Sequence, residues 1–304
     1  MIKVVITGSN GLLGQTLLDL LILDGKYQVH GVSRGPSRYP VNGFQYHTVD
    51  LSDKIQVNAA LAAISPNFII NTAAMTHVDV CDSNREACDI INVQMVSWLV
   101  EYCKLSNAHL IHLSTDFVFD GKNGPYKETD TTNPISYYGL SKLRSEETIL
   151  SSKINFTILR TILVYGLVRD MSRTNIVLWV LKSLKTGKPI TVVHDQYRMP
   201  TNAKSLSEAC KLAMEAKRNG IFHISSSRLM SVYQIAVTVA KTFGLNSDLI
   251  SPISSLELNQ PANRPPKTGF YIEKAVKELG FAPKTFEEEL LEFKANYDDS
   301  TFNL

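Results

Sequence analysis

The sequence predicts an α/β fold in which a doubly wound parallel sheet is followed by a smaller C-terminal α/β part. Apolar, β-branched runs alternate with amphipathic helical segments through the first half of the chain. Several of these runs end in small or polar residues. Strands of a parallel sheet are covered by helices on both faces, so their sequences are apolar throughout, as these runs are.

Composition is that of an ordinary globular protein. The chain has 304 residues, 44% hydrophobic and 20% charged, with a net charge of +2. Lysines and arginines are scattered without a basic run, which disfavours nucleic acid and anionic membranes as partners. The four cysteines lack CxxC spacing and the dense pairing of a secreted scaffold. Because a strand pattern begins at Ile2 and the apolar run TLLDLLIL is too short to span a bilayer, we expect a cytoplasmic protein.

The first strand, Ile2–Thr7, leads through a glycine turn into an amphipathic helix. The turn reads GSNGLLG, a GxxGxxG spacing. In this order of elements, glycines let the backbone approach a pyrophosphate that lies at the helix N-terminus. The sequence therefore predicts a dinucleotide site on a Rossmann sheet, with these candidate residues: Gly8, Asn10, Gly11, Leu12, Leu13 and Gly14.

The second predicted strand, Tyr27–Ser33, ends without an acidic residue. An acidic side chain there holds the ribose hydroxyls of NAD, whereas a nearby arginine accommodates the 2′-phosphate of NADP. In this chain Ser33 is followed by Arg34, and Arg38 lies close behind. The pattern favours NADPH. NADH stays open, because a solvated loop arginine gives the same pattern.

Two further strands, Phe44–Val49 and Phe68–Asn71, precede residues suited to a cofactor groove. Ligands of open α/β sheets lie beyond the carboxyl ends of the strands. An acidic residue after the third strand can reach the adenine edge, and small residues after the fourth allow the cofactor to pass closely. The candidates are Asp50, Leu51, Ala73 and Ala74.

A predicted helix, Asp89–Lys104, carries Asn92 in its middle, where a buried amide would hold a water beside Lys142 and an exposed one would be solvated. The fifth strand, Leu110–Leu113, leads to Ser114, Thr115 and Asp116. We expect Thr115 to hydrogen-bond a substrate carbonyl oxygen. His109 and His112 are interpreted as strand-edge and packing residues, and nothing arranges them as metal ligands.

The segment NPISYYGLSK places Tyr138 four residues before Lys142 at the start of a predicted helix, so both project from one face. A phenol beside an ammonium group ionises more readily, because the positive charge favours phenolate. The pair is therefore a candidate proton donor, whereas Tyr137 faces elsewhere. Tyrosine and lysine at this spacing are also common on ordinary helices, so the interpretation depends on Thr115 and the glycine turn.

The second half alternates helices and strands without the early pattern. We expect a dinucleotide-binding domain over residues 1–163, with segments of about 190–227 returning to its sheet. Residues 164–304 would form the substrate-binding part, with Ser251–Thr268 as an extended loop. Arg264 is a candidate for gripping a phosphate or sugar hydroxyls, and an exposed structural arginine is the alternative.

Six motifs occur in order: ITGSNGLLG, NTAAMTHVD, LSTDFVFDG, YYGLSK, DQYRMPT and NRPPK. Together they resemble the extended short-chain dehydrogenases/reductases and, within these, the dTDP-4-dehydrorhamnose reductase family. The resemblance implies NAD(P)H-dependent reduction of the C4 ketone of a nucleotide-linked 4-keto-6-deoxy sugar in carbohydrate biosynthesis. It implies that Tyr138 is the acid, that Lys142 lowers its pKa and contacts the nicotinamide ribose, that Thr115 orients the carbonyl, and that Asn92 supports a proton relay. The candidate substrate contacts are Thr76, Val78, Asp116, Phe117, Leu163 and Arg264.

The chain departs from the family pattern at three positions. Leu163 stands where these reductases often have tryptophan, and Arg198 and Met199 replace smaller residues after DQY. These changes leave open which sugar and nucleotide bind. The oligomeric state, including a homodimer, is open as well.

Two other functions share the fold. An NAD-dependent sugar-nucleotide epimerase or dehydratase is disfavoured, because Phe117 follows Asp116 where dehydratases resemble TDE, and because no acidic residue follows the second strand. A non-catalytic, NADP-binding regulatory homologue, such as a regulatory subunit of methionine adenosyltransferase, would bind the cofactor without turnover.

Overall fold

A seven-stranded sheet, parallel throughout, forms the centre of the computed structural model, which describes residues 1–170 and 174–298. Its strands are β1 (Ile2–Thr7), β2 (Tyr27–Ser33), β3 (Gln45–Thr48), β4 (Phe68–Asn71), β5 (His109–Thr115), β6 (Phe156–Thr161) and β11 (Gly220–Ile224). Their order is β11-β6-β5-β4-β1-β2-β3. The direction of winding reverses between β1 and β4, which is where ligands lie in such sheets. The predicted doubly wound α/β fold is confirmed.

Helices cover both faces of this sheet. One face carries α1 (Leu12–Asp24), α8 (Ala203–Ala216) and α11 (Glu273–Leu279), packed around a core that includes Leu17, Ile70 and Phe222. The other face carries α2 (Lys54–Ile64), α5 (Met95–Ser106) and α6 (Tyr137–Leu150), around a core that includes Val5 and Leu99. Apolar strand residues alternate between these two cores, which explains the continuous apolar runs of the sequence.

A third core, away from the sheet, lies in the C-terminal half. It is built on α7 (Ile176–Lys185) and α9 (Val232–Phe243), on the parallel pair β8 (Ile190–Val193) and β13 (Ile250–Ile253), and on α12 (Phe286–Ala295). Short pairs join the halves: β7 (Val164–Tyr165) with β10 (Thr201–Asn202), and β9 (Tyr197–Arg198) with β12 (Met230–Ser231). The segment predicted as a substrate-binding part, 164–304, includes residues 171–173 and 299–304, which lie outside the described residues.

Three predicted elements differ from the structure. The helix expected over Asp89–Lys104 is α4 (Arg85–Asp89), a π-helical turn (Ile90–Gln94) and α5. The strand expected over Phe156–Leu163 ends at Thr161, because Leu163 has a left-handed φ of 42° that a strand does not accommodate. The loop expected over Ser251–Thr268 contains most of β13 and also α10 (Ser255–Leu258). The remaining short helix is α3 (Val78–Ser83).

None of the helices in the described part of the chain combines the length and the apolar character needed to cross a membrane.

Candidate active site

The glycine turn between β1 and α1 is tightly folded. Gly8 has a φ of +71°, and a Cβ there would lie 2.9 Å from the Ala73 backbone. A Cβ on Gly14 would lie 2.4 Å from the carbonyl oxygen of Gly8. Both positions therefore require glycine, whereas a Cβ on Gly11 would meet only the Gly8 carbonyl oxygen, at 3.2 Å.

The first turn of α1 is open to an anion. Gly11 is its N-cap, and within residues 1–170 and 174–298 no side chain caps it. Uncapped N–H groups at a helix N-terminus attract phosphate oxygens. Leu12 and Leu13 begin this helix and are half-buried. The turn therefore fits the pyrophosphate of a dinucleotide.

Asn10 holds the loop after β2. Its Nδ2 atom donates to the carbonyl oxygens of Arg34 and Pro36 at 3.2 and 3.0 Å, and its Oδ1 accepts from the Arg38 amide at 2.9 Å. The Tyr46 hydroxyl, which the sequence analysis missed, lies 3.0 Å from the same Nδ2. Asn10, predicted as a cofactor contact, directs its side chain to this loop and so fixes the backbone that carries Arg34.

The loop presents its arginine to solvent next to Asp50. Hydrogen bonds from Ser52 lower the pKa of Asp50, and the charge of Arg34 lowers it further. Ser33 is half-buried at the end of β2, and Ala73 and Ala74 are half-buried after β4. The Leu51 side chain is buried in the core shared with Val5 and Leu99, so a direct contact of this side chain with the cofactor is not what the structure shows.

Tyr138 and Thr115 meet at the carboxyl end of β5. Ser136 caps α6 by accepting from the Gly139 amide at 3.2 Å, which places Tyr138 in the first turn of the helix. Tyr138 lies beside Thr115, and the Phe117 ring lies edge-on to the Tyr138 ring with 5.6 Å between the ring centroids. The Thr115 hydroxyl itself donates to Asp116 Oδ1 at 3.1 Å. Burial raises the pKa of Tyr138, and Thr115 partly offsets this effect. The phenol is therefore protonated at neutral pH.

Lys142 lies beneath this pair and is 2% exposed. Its Nζ is 3.0 Å from His112 Nε2. Burial lowers the pKa of Lys142 to about 8, against the raising effects of Glu146 and Cys88. Burial is the largest effect on the pKa of Tyr138 and raises it, and the Lys142 amine is directed at His112, so the expected lowering by Lys142 stays a prediction. His112, interpreted from sequence as a packing residue, is the hydrogen-bond partner of the lysine.

Asn92 lies in the π-helical turn, an irregularity that is frequent at functional sites. Its Oδ1 accepts from the Met75 amide at 2.8 Å, and its Nδ2 donates to the Met75 carbonyl at 3.0 Å and to Ser141 Oγ at 2.9 Å. The amide is thus engaged in fixing the segment after β4 against the residue before Lys142. It differs in this from the expected water-holding group.

The predicted substrate contacts other than Asp116 are exposed or half-buried. Thr76 is exposed, Val78 opens α3, and Phe117 is half-buried beside Tyr138. Leu163 has a left-handed backbone and packs against both the C-terminal core and a smaller apolar cluster that includes Phe119 and Met199. Arg264 Nη2 pairs with Asp79 Oδ2 at 2.8 Å and is half-buried.

Asp116 was predicted to contact substrate and lies inside the protein. It is 2% exposed, accepts a hydrogen bond from Thr268, and lies 3.8 Å from Arg198 Nε. Burial raises the pKa of Asp116, and Arg198 opposes this effect. One signal in the sequence could have indicated this pair. Arg198 is a charged residue of the DQYRMPT motif at a position otherwise surrounded by buried segments, and a buried charge needs a partner.

Comparisons with known proteins agree with this geometry. The RmlD substrate binding domain family matches residues 2–298. The chain is 30% identical to a probable low-salt glycan biosynthesis reductase, Agl14, of Haloferax volcanii (97% of this chain, 98% of that one). It is 30% identical to a dTDP-4-dehydrorhamnose reductase of Aggregatibacter actinomycetemcomitans (97% and 99%) and to the bovine methionine adenosyltransferase 2 subunit beta (83% and 75%).

Solved structures give the same result. A dTDP-4-dehydrorhamnose reductase of Clostridium acetobutylicum superposes with a TM-score of 0.85 at 28% identity, covering 97% of this chain and 99% of that one. The Bacillus anthracis reductase in complex with NADP superposes with a TM-score of 0.83 at 25% identity, covering 98% and 100%. The resemblance inferred from the six motifs is confirmed, and the chain belongs to the RmlD substrate binding domain family.

Proposed function

We propose that this protein is an NADPH-dependent reductase that acts on the 4-keto group of a nucleotide-linked 6-deoxy sugar, as a dTDP-4-dehydrorhamnose reductase does. The observation that carries the proposal is the contact between Tyr138 and Thr115 above Lys142, on the sheet edge that also carries the glycine turn. Reductases of this activity among the relatives support it, as does the NADP complex of a structural neighbour.

The chain's own residues supply proton transfer and positioning. NADPH, when bound, supplies the hydride for the carbonyl carbon. Thr115, whose hydroxyl donates to Asp116 Oδ1 at 3.1 Å, would turn this hydrogen to the carbonyl oxygen, and Tyr138 would protonate that oxygen as negative charge develops on it. Because burial raises the pKa of Tyr138, the proton is present at neutral pH before the reaction begins. The uncapped first turn of α1 would hold the pyrophosphate, and Arg34 the 2′-phosphate.

The proton-donor role is tested with Tyr138→Phe. We expect the purified wild type to oxidise NADPH on addition of a dTDP-4-keto-6-deoxyhexose. The variant should lose about 10²- to 10⁴-fold in kcat, the contribution of a positioned general acid, while its Kd for NADPH is unchanged. Tyr137→Phe is the matched control, because Tyr137 donates to Asp89 at 2.8 Å on the outer side of the helix. If the two variants retain similar activity, Tyr138 is not the donor.

The preference for NADPH is tested with Arg34→Ala. Loss of a charge-assisted contact to the 2′-phosphate should raise the Kd for NADPH about tenfold or more, and the Kd for NADH less than about twofold. Fluorescence titration of both nucleotides measures this. Arg38→Ala is the control, since Arg38 lies in the same loop and is 3.9 Å from Asp170. Equal losses for NADPH and NADH would refute the role of Arg34.

A binding protein without turnover is the second candidate. It is favoured by the similarity to methionine adenosyltransferase 2 subunit beta over 83% of this chain. Wild-type protein that binds NADPH but consumes none with nucleotide-linked ketoses would support this candidate and reject the reductase.

A further inference from the structure

A row of buried hydrogen bonds joins the end of β1 to Lys142. Thr7 Oγ1 donates to Asn71 Oδ1 at 2.6 Å, Asn71 Nδ2 is 3.0 Å from His112 Nδ1, and His112 Nε2 is 3.0 Å from Lys142 Nζ. All four side chains are at most 2% exposed. Thr7 immediately precedes Gly8, so the row connects the glycine turn to the lysine through three adjacent strands.

The polarity of these bonds depends on the charge of the lysine. With Asn71 oriented as it is, its Nδ2 donates, so His112 Nδ1 accepts and His112 carries its proton on Nε2. A protonated Nε2 can donate to Ser145 Oγ, 3.1 Å away, or to a neutral amine, but it cannot accept from an ammonium group.

The opposite charge state requires the reverse orientation. When Asn71 turns its amide, Nδ2 donates to Thr7 and Oδ1 accepts from His112 Nδ1–H. His112 Nε2 is then free of its proton and accepts from an ammonium at Lys142. Thr7 Oγ1 donates in the first orientation and accepts in the second. The two orientations differ in the charge that they stabilise at Lys142.

We propose that His112 is a positioning residue for Lys142, and that the amide orientation of Asn71 selects whether His112 Nε2 accepts from a charged lysine or donates to a neutral one. The consequence for turnover rests on the proposed reductase function, whereas the consequence for the lysine does not.

The other ionisable groups around Lys142 are bound to partners of their own, so His112 is the group that responds to the charge of the lysine. Glu146, one turn along α6, is bound by Arg160 of β6 at 2.6 Å and by Ser114 of β5. Cys88 of α4 contacts Ser141 Oγ at 3.4 Å, and Tyr138 of α6 contacts Thr115. Each of these groups has its own partner, and within residues 1–170 and 174–298 it is His112 that hydrogen-bonds Nζ.

The lysine titration tests the proposal directly. The protein is labelled with lysine enriched in ¹³C at Cε, and the Lys142 signal is identified by its loss in Lys142→Met. Asn71→Asp has nearly the same shape and accepts from a neutral His112 through Nδ1–H, which leaves Nε2 as the acceptor, and the added negative charge favours the charged lysine in the same direction. We expect the titration midpoint of Lys142 to rise by about 1 pH unit or more.

His112→Phe removes the acceptor and should lower the midpoint by about 1 unit, whereas His112→Gln offers an amide oxygen and should restore most of it. His109→Phe is the matched control. His109 is also a buried β5 histidine, but it contacts Thr157 Oγ1 at 2.8 Å. It should leave the midpoint of Lys142 unchanged. If His112→Phe does not fold, Asn71→Asp and His112→Gln decide the question.

An unchanged midpoint in Asn71→Asp, or an equal shift in His109→Phe, overturns the proposal. If turnover occurs, the alkaline limb of kcat against pH should move in the same direction as the midpoint in each variant. A purely structural role would lower kcat equally at every pH. Absence of turnover in the wild type would reject the reductase and leave the NMR result as the test of His112.

Discussion

The sheet half and the C-terminal half differ in how far apart in sequence their buried polar partners lie. In the sheet half, His112 pairs with Lys142 and Glu146 with Arg160, over separations of 30 and 14 residues. The bond from Thr268 to Asp116 joins the two halves over 152 residues, and within the C-terminal half Glu289 is bound by Tyr165, 124 residues away. Contacts of the first kind follow from the order of neighbouring strands, whereas contacts of the second kind require the folded chain.

The halves also differ in the groups that surround a buried carboxylate. Glu146 faces a cation, since Arg160 Nε and Nη2 donate to its two oxygens at 2.9 and 2.6 Å. Glu289 is held by hydroxyls, from Tyr165 at 3.0 Å and from Ser205 at 2.6 Å. An ionised carboxylate is well compensated in the first setting and poorly in the second.

The largest effect is expected from breaking the compensated pair. Arg160→Met should lower the free energy of unfolding by about 3–5 kcal/mol, because it leaves Glu146 buried without a cation. Urea unfolding measures the change. Lys54→Met is the control, because Lys54 pairs with Glu101 at 2.8 Å on the surface and should change stability by less than about 1 kcal/mol. Similar losses in both variants would contradict the contrast.

The second largest effect is expected from acid, which should lower the free energy of unfolding through the histidines of the sheet half. Burial lowers the pKa of five histidines, all on strands of the seven-stranded sheet: His30, His47, His109, His112 and His223. A lowered pKa keeps the folded imidazole neutral, so stability is complete above about pH 6.5 and falls as the unfolded chain gains protons below it. His112 and His223 alone should account for about 2–3 kcal/mol between pH 7 and 5.5.

Urea unfolding from pH 7.5 to 5 tests the acid effect, and stability that stays constant over this range would contradict it. Replacing His223 with glutamine should make the dependence shallower, because one of the depressed groups is then absent.

The smallest effect is expected from Glu289→Gln. Burial raises the pKa of Glu289, so the folded state favours the neutral carboxyl and is less stable when the group ionises at neutral pH. Removing the charge should stabilise the protein at pH 7 by about 0.5–1 kcal/mol. Glu146→Gln is the opposite case and should destabilise it, because it leaves Arg160 unpaired. A loss of stability in both variants would show that Glu289 is compensated after all.

The difference between local patterns and contacts of distant segments explains what could be predicted from the sequence. Strands Ile2–Thr7 and Tyr27–Ser33 were predicted with the bounds that the structure has, because apolar periodicity is local. The pairing of Arg198 with Asp116 and the packing of Leu51 depend on distant segments, so no local pattern revealed them. His112 is an intermediate case. A polar residue on an apolar strand indicates that it has a buried partner, but only the structure shows that this partner is Lys142.

The chain leaves the sheet after β6 and rejoins it through α8, which packs on α1, and through β11, which pairs with β6. The half that carries the glycine turn is therefore not an N-terminal module that can be excised at residue 163. A fragment ending there would leave β6 as an open edge and uncover part of α1. A chimaera designed to exchange sugar selectivity between relatives would have to graft the segments of the C-terminal core together, while keeping residues 203–224 and helix α11 of the recipient.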